Sequence, residues 1–144
     1  DDPEYILEQS KKTEIKLKQF IEEVKNEYSL KNSEICLSGF SQGCMMSINI
    51  GLTSSENYNC IVGFSGKIIN SVDIIKRKTS STKMLLIHGD KDEVVSPTFL
   101  LEAKDFLIRN NIEIETKMIK SCEHHIPVEA SSTALNYIKN NFQV

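Results

Sequence analysis

The sequence predicts an α/β protein, with a mainly parallel sheet of about four strands covered on both faces by helices. Helix-like and strand-like hydrophobic periods alternate from end to end. Most strand candidates are continuous apolar runs, the pattern of parallel strands buried on both faces. No repeat, Pro/Ser-rich linker or low-complexity block interrupts the alternation, so residues 1–144 are expected to form one domain.

Each element has a local reason. Residues 13–28 place Ile15, Leu17, Phe20, Ile21 and Val24 at helical spacing among Lys and Glu, which predicts an amphipathic surface helix. Residues 34–38 form a short, mostly apolar run stopped by Gly39, a buried strand. Residues 44–50 are apolar on most faces and predict a buried helix, and 60–64 predict a second strand. A weaker helical pattern covers 72–77, starting from Asn70 and Ser71. The run 83–88 is a clear third strand. Pro97 suits the start of a helix over 98–109, with Phe99, Leu100, Ala103, Phe106 and Leu107 on one face. Ile112, Ile114, Thr116 and Met118 alternate with polar residues, giving a fourth strand over 112–119. Ala130, Ala134, Leu135, Tyr137 and Ile138 mark a closing helix over 128–140.

Composition excludes several classes of function. Seventeen Lys and Arg against 20 Asp and Glu give a net charge of -3 without any basic block, which argues against nucleic-acid or anionic-membrane surfaces. The longest apolar run is far shorter than a membrane span, and the acidic start (Asp1, Asp2, Glu4) has no basic, then apolar, leader pattern, so a cytoplasmic location is expected. A chain of this length buries about 70% of its unfolded surface and needs no disulfide or metal to fold. Cys36, Cys44, Cys60 and Cys122 show no C-x-x-C and no His at zinc-ligand spacing, so no metal and no cofactor are expected. Cys36 and Cys60 read as small buried hydrophobes. Cys44 and Cys122 would make the neighbouring site oxidation-sensitive if exposed.

The sharpest local signal is Gly39-Phe40-Ser41-Gln42-Gly43, a G-x-S-x-G between a predicted strand and a predicted helix. A nucleophile on such a turn sits in a strained conformation, and Gly39 and Gly43 are expected to relieve crowding on either side. The helix that follows aims its N-terminus at the reaction centre, with the Gln42 backbone N–H placed to stabilise an oxyanion. Serine needs a base, and the base needs an orienting carboxylate. Two loops after later strands supply candidates: His88-Gly89-Asp90-Lys91-Asp92-Glu93-Val94-Val95, and Ser121-Cys122-Glu123-His124-His125-Ile126-Pro127. From the residues alone, Asp90 or Asp92 can be the acid and His124 or His125 the base. Adjacent loop residues point apart, so only one histidine reaches Ser41. Ser65 lacks the second glycine of an elbow, and His88 ends an apolar strand; both read as structural.

These three stretches, with Phe64-Ser65-Gly66 after the second strand, resemble the phospholipase/carboxylesterase family of α/β-hydrolases, which includes acyl-protein thioesterases. The resemblance spans nearly the whole chain and implies the family's order of Ser, acid, then His. It implies Ser41 as nucleophile, Asp92 as acid and His124 as base; Asp90 is then expected to cap its own turn through the local backbone. One departure is that Glu123 stands where the family usually has Gly. The implied reaction is acyl transfer to water through an acyl-Ser41 intermediate. The implied substrates are carboxylic esters, lysophospholipids or S-acyl thioesters.

The family's fold has further strands before its nucleophile and a loop there that gives a second oxyanion N–H, neither of which precedes residue 41 here. Losing one oxyanion donor costs about 10²–10³ in rate. The chain therefore reads as the C-terminal portion of an α/β-hydrolase. The open edge of the Ile35–Leu37 strand is expected to be covered by a preceding segment or by a second copy in a homo-oligomer. An alternative function is a catalytically silent or truncated module acting in binding or assembly.

Overall fold

A computed structural model describes residues 2–143. The element order is α1 (Pro3–Tyr28), a 3₁₀ turn (Asn32–Glu34), β1 (Cys36–Phe40), α2 (Gln42–Thr53), β2 (Cys60–Phe64), α3 (Ser71–Arg77), β3 (Met84–Gly89), α4 (Thr98–Arg109), β4 (Ile114–Ile119) and α5 (Val128–Phe142). The strands form one parallel sheet in the order β1-β2-β3-β4. The predicted α/β class and four-stranded parallel sheet are therefore found.

Consecutive parallel strands laid down in one direction by right-handed crossovers keep their connecting helices on one face. Accordingly, α2, α3 and α4 share a core with Ile61, Met84 and Leu86, built around Ile48, Leu52, Ile74 and Leu107. The alternate residues Val62, Phe64, Leu85 and Ile87 face α5 through Ala130 and Ala134. β2 and β3 are buried at every position, which explains their unbroken apolar sequence.

Of the boundaries that differ from the sequence reading, two have a clear local cause. The first strand runs over 36–40 rather than 34–38, because Glu34 closes the 3₁₀ turn with its carboxylate accepting from the Lys31 N–H at 3.0 Å. The first helix begins at Pro3 rather than near residue 13. Asp2 caps it by accepting from the Glu4 N–H at 3.0 Å, and Pro3 suits its first turn.

The expected apolar face of α1 is only partly covered, with Ile15 and Phe20 exposed. Its one buried residue is charged: Glu14 takes a two-pronged bond from the Arg77 guanidinium at 2.9 and 3.2 Å, while Arg77 Nε donates to Asp73 at 2.8 Å. Leu17, Phe20 and Ile21 line a groove of about 510 Å³ together with Leu37 and Met46. Among the described residues β1 pairs only with β2, so its other edge faces that groove. Among the described residues no helix is long and apolar enough to cross a membrane.

Candidate active site

Parallel strands present their C-terminal ends along one edge of the sheet, and the loops that leave that edge converge. The ends of β1, β3 and β4 carry the G-x-S-x-G turn, the acidic loop and the histidine loop, respectively.

Ser41 lies between β1 and α2 with φ 55° and ψ -114°. A non-glycine residue there is strained by about 1–3 kcal/mol and persists only where its surroundings over-determine it. The Ser41 N–H donates to the Phe64 carbonyl at 2.7 Å, and its carbonyl starts α2 by accepting from Met45 at 3.2 Å. Close packing does the rest. A Cβ on Gly39 would fall inside the Gly43 carbonyl and 2.7 Å from the Cys44 nitrogen. The expected role of Gly43 is corrected: a Cβ there would meet nothing within 4 Å, since that position faces the open groove. Gly39→Ala is therefore expected to destabilise the fold by about 1–3 kcal/mol, whereas Gly43→Ala stays near the wild type; chemical denaturation of both variants checks this.

His124 reaches Ser41 and Asp92 at once. Its Nδ1 lies 2.7 Å from Asp92 Oδ2 and its Nε2 3.1 Å from Ser41 Oγ. A carboxylate only accepts, so Nδ1 carries the proton, and Nε2 is left to accept from the Ser41 hydroxyl. Asp92 is buried with every oxygen used. Oδ1 accepts from the Val94 N–H at 2.9 Å and the Val95 N–H at 2.8 Å, and Oδ2 also lies 3.3 Å from His88 Nε2. Burial alone would push this carboxyl up, but the His124 hydrogen bond and the two backbone N–H groups outweigh it and hold the carboxyl below its ordinary range.

The rival residues are elsewhere. His88 is buried and donates from Nε2 to the Val95 carbonyl at 2.8 Å, which braces the acidic loop. Ser65 is buried at the end of β2, its N–H donating to the Ile87 carbonyl at 2.8 Å. His125 is exposed and its N–H donates to the Glu123 carbonyl at 2.9 Å. Asp90 was expected to cap its own turn. Instead its Oδ1 accepts from the Cys122 N–H at 3.3 Å, and the Lys91 N–H donates to the Cys122 carbonyl at 2.9 Å, tying the acidic loop to the histidine loop. Gly89 allows this approach, since a Cβ there would overlap the Cys122 carbonyl.

Cys44 and Cys122 are both buried rather than exposed. Burial pushes the Cys44 thiol up to about 12 and, joined by Asp90 and Asp92, raises that of Cys122, so neither forms a ready thiolate. Among the described residues no three His, Cys, Asp or Glu side chains group as metal ligands.

Sequence reasoning missed Phe40. Its ring packs on His124 with centroids 4.7 Å apart and planes at 45°. As the first x of G-x-S-x-G on an outward-facing strand end, it carried no pattern of its own. The Gln42 N–H opens α2 beside Ser41 and has no acceptor among the described residues.

Known proteins resemble this chain to differing degrees. The phospholipase/carboxylesterase family model matches residues 3–142. Acyl-protein thioesterase 1 of Yarrowia lipolytica is 28% identical over 117 residues, which cover 77% of this chain and 51% of that protein. The crystal structure of esterase PE8 superposes with a TM-score of 0.89 at 28% identity, over 91% of this chain and 61% of PE8. Arabidopsis thaliana SOBER1 shares the fold with a TM-score of 0.80 at 22% identity, over 98% of this chain and 66% of that one. This chain thus spans about half the length of the curated relative and under two thirds of PE8. With its own model matching from the first turn of α1 to the last of α5, the chain belongs to the phospholipase/carboxylesterase family.

Proposed function

We propose that this chain carries the machinery of a serine hydrolase that cleaves carboxylic esters or thioesters through an acyl-Ser41 intermediate. The observation that supports it most is the unbroken relay from Ser41 Oγ to His124 Nε2 at 3.1 Å and from His124 Nδ1 to Asp92 at 2.7 Å. In this reading His124 takes the Ser41 proton as Oγ attacks the acyl carbon. The carbonyl electron pair moves to oxygen, facing the Gln42 N–H. When the tetrahedral species collapses, the bond to the leaving group breaks and His124 Nε2 gives that group its proton. Water then repeats the sequence and frees the acid. Asp92 holds the imidazole tautomer and balances the charge it gains. Every proton has a protein donor or acceptor, so the scheme uses no cofactor.

The family's description and the names of the relatives, an acyl-protein thioesterase and an esterase, support carboxylic ester, lysophospholipid or S-acyl substrates. Polypeptide outside these 144 residues is proposed to cover the β1 edge and to supply a second oxyanion N–H, consistent with the greater length of the relatives. The open groove beside β1 favours one other reading, in which the hydrolase fold serves binding or assembly without catalysis.

Rapid mixing of the complete protein with a p-nitrophenyl ester separates the two. An initial burst of nitrophenolate equal to the enzyme, with a matching acyl adduct by mass, is expected. A folded protein that gives neither burst nor adduct overturns the hydrolase reading.

Phe40 is proposed to position His124. Phe40→Leu is expected to lower kcat about tenfold with KM little changed, since small misplacement of a base is costly. Phe40→Tyr, which keeps the ring, should restore most of it.

A further inference from the structure

The sheet ends in β4 on the side away from β1, and among the described residues β4 pairs only with β3, so its outer edge is open. We propose that this edge pairs with β4 of a second copy of the chain, antiparallel about a two-fold axis through Thr116, so that two four-stranded sheets join into one. Such pairing is independent of the hydrolase reading above.

Backbone parity says which groups are free. The Met84 N–H donates to the Glu113 carbonyl and the Asp90 N–H to the Ile119 carbonyl, each at 3.0 Å. Successive residues of a strand turn their N–H and C=O to opposite edges, so the odd-numbered residues of β4 bond to β3. Ile114, Thr116 and Met118 therefore turn theirs outward. With the axis at Thr116, an antiparallel copy meets them as hydrogen-bonded pairs, Ile114 with Met118 and Thr116 with Thr116, each pair exchanging two bonds. Edge strands that stay single are commonly interrupted by proline or a bulge, whereas β4 is six regular residues, Ile114–Ile119, with neither proline nor glycine.

Charge selects the partner and the register. In this arrangement Glu115 stands opposite the second copy's Lys117, and Lys117 opposite its Glu115, at the non-hydrogen-bonded positions where side chains approach more closely. Both lie on the α5 face of the sheet, since their neighbours on β3, Leu85 and Ile87, pack there. Lys117 is 3.4 Å from Glu129 of α5 and keeps 43% of its side chain exposed, which leaves room for a second carboxylate. On the other face Ile114 meets Met118, an apolar side chain left 38% exposed in the single chain. Moving the axis to residue 114 would set Glu115 against Glu113, and moving it to 118 would set Lys117 against Ile119. Only the axis at Thr116 pairs opposite charges, and it does so twice by symmetry.

Sedimentation equilibrium of the complete protein tests this. The wild type is expected at the mass of two chains. Glu115→Lys and Lys117→Glu each set like charges opposite one another at both symmetry-related positions, so each should raise the dimer dissociation constant about tenfold or more. The double reversal E115K/K117E makes the charges opposite again and should return the constant to near the wild-type value. Urea unfolding of each variant confirms that it is folded, and damage within one chain would add in the double variant rather than cancel. A monomeric wild type, single reversals that leave the dimer unchanged, or a double reversal no tighter than the single ones overturns the proposal.

Discussion

Replacing Ser41 with Ala in the complete protein is expected to lower kcat/KM for ester hydrolysis about 10⁵-fold or more, with the fold intact. The size of the effect follows from the site's geometry. Ser41 Oγ is the hydroxyl within reach of His124, and Ser65 is buried with its backbone committed to the β3 strand, so it is not placed to take over. Any residual rate would come from binding and the Gln42 N–H alone. The same position carries a second, thermodynamic expectation. At φ 55° and ψ -114° an alanine keeps the strain and a glycine relieves it, because that conformation is the mirror image of one open to every L-residue. Ser41→Gly should therefore be more stable than Ser41→Ala by about 1–2 kcal/mol. The ordinary preference for glycine over alanine at a helix N-cap points the same way. Equilibrium unfolding of the two variants in urea checks it; an alanine variant as stable as the glycine variant would mean that the turn stores no strain.

Asp92→Asn is expected to cost about 10⁴-fold in kcat and about 1–3 kcal/mol of stability. The amide has no orientation that satisfies its neighbours. With its oxygen towards the Val94 and Val95 N–H groups, its NH₂ faces His124 Nδ1 and the Nε2–H of His88. His124 must then move its proton to Nε2 and lose the ability to accept from Ser41, while His88 confronts a second donor. With the amide turned over, its NH₂ meets two backbone donors instead. The pH dependence has a definite sign. The Asp92 carboxyl is held below its ordinary value of 3.8, so it stabilises the fold above that value and loses its contribution as pH falls through the lower, folded value. The stability gap between wild type and Asp92→Asn should accordingly narrow as pH falls below about 4, measured by urea unfolding across that range.

Much of this was legible in the sequence because local chemistry and global position agree. The β2 and β3 runs are apolar at nearly every residue because both faces of the sheet are covered there. The helix over Thr98–Arg109 begins and ends where Pro97 and the apolar stripe predicted. Spacing tied the loops that carry Ser41, Asp92 and His124 to strand ends, which meet along one sheet edge, and the family resemblance singled out Asp92 from Asp90 and His124 from His125 within them. What was hidden depended on contacts distant in sequence. Glu14 is the buried face of α1 because Arg77 lies 63 residues away and pairs with it, and no helical pattern of apolar residues can signal that. Phe40 packs against a ring that arrives from position 124. Asp90 was assigned to its own turn, since local hydrogen bonds are all that a sequence offers, whereas its partner is the Cys122 N–H on the next loop. Gly43 was misjudged for a related reason: the turn motif pairs it with Gly39, whereas Gly39 alone of the two packs against a neighbour and a Cβ at 43 meets nothing within 4 Å.

The central claim is that Ser41 is a nucleophile activated by His124. Treating the folded, complete protein with a fluorophosphonate and mapping the adduct by peptide mass spectrometry tests it most directly. One adduct per chain is expected, on the Ser41 peptide, formed far more slowly when His124 is replaced by Ala. An unmodified protein, or an adduct on a different serine, would contradict it.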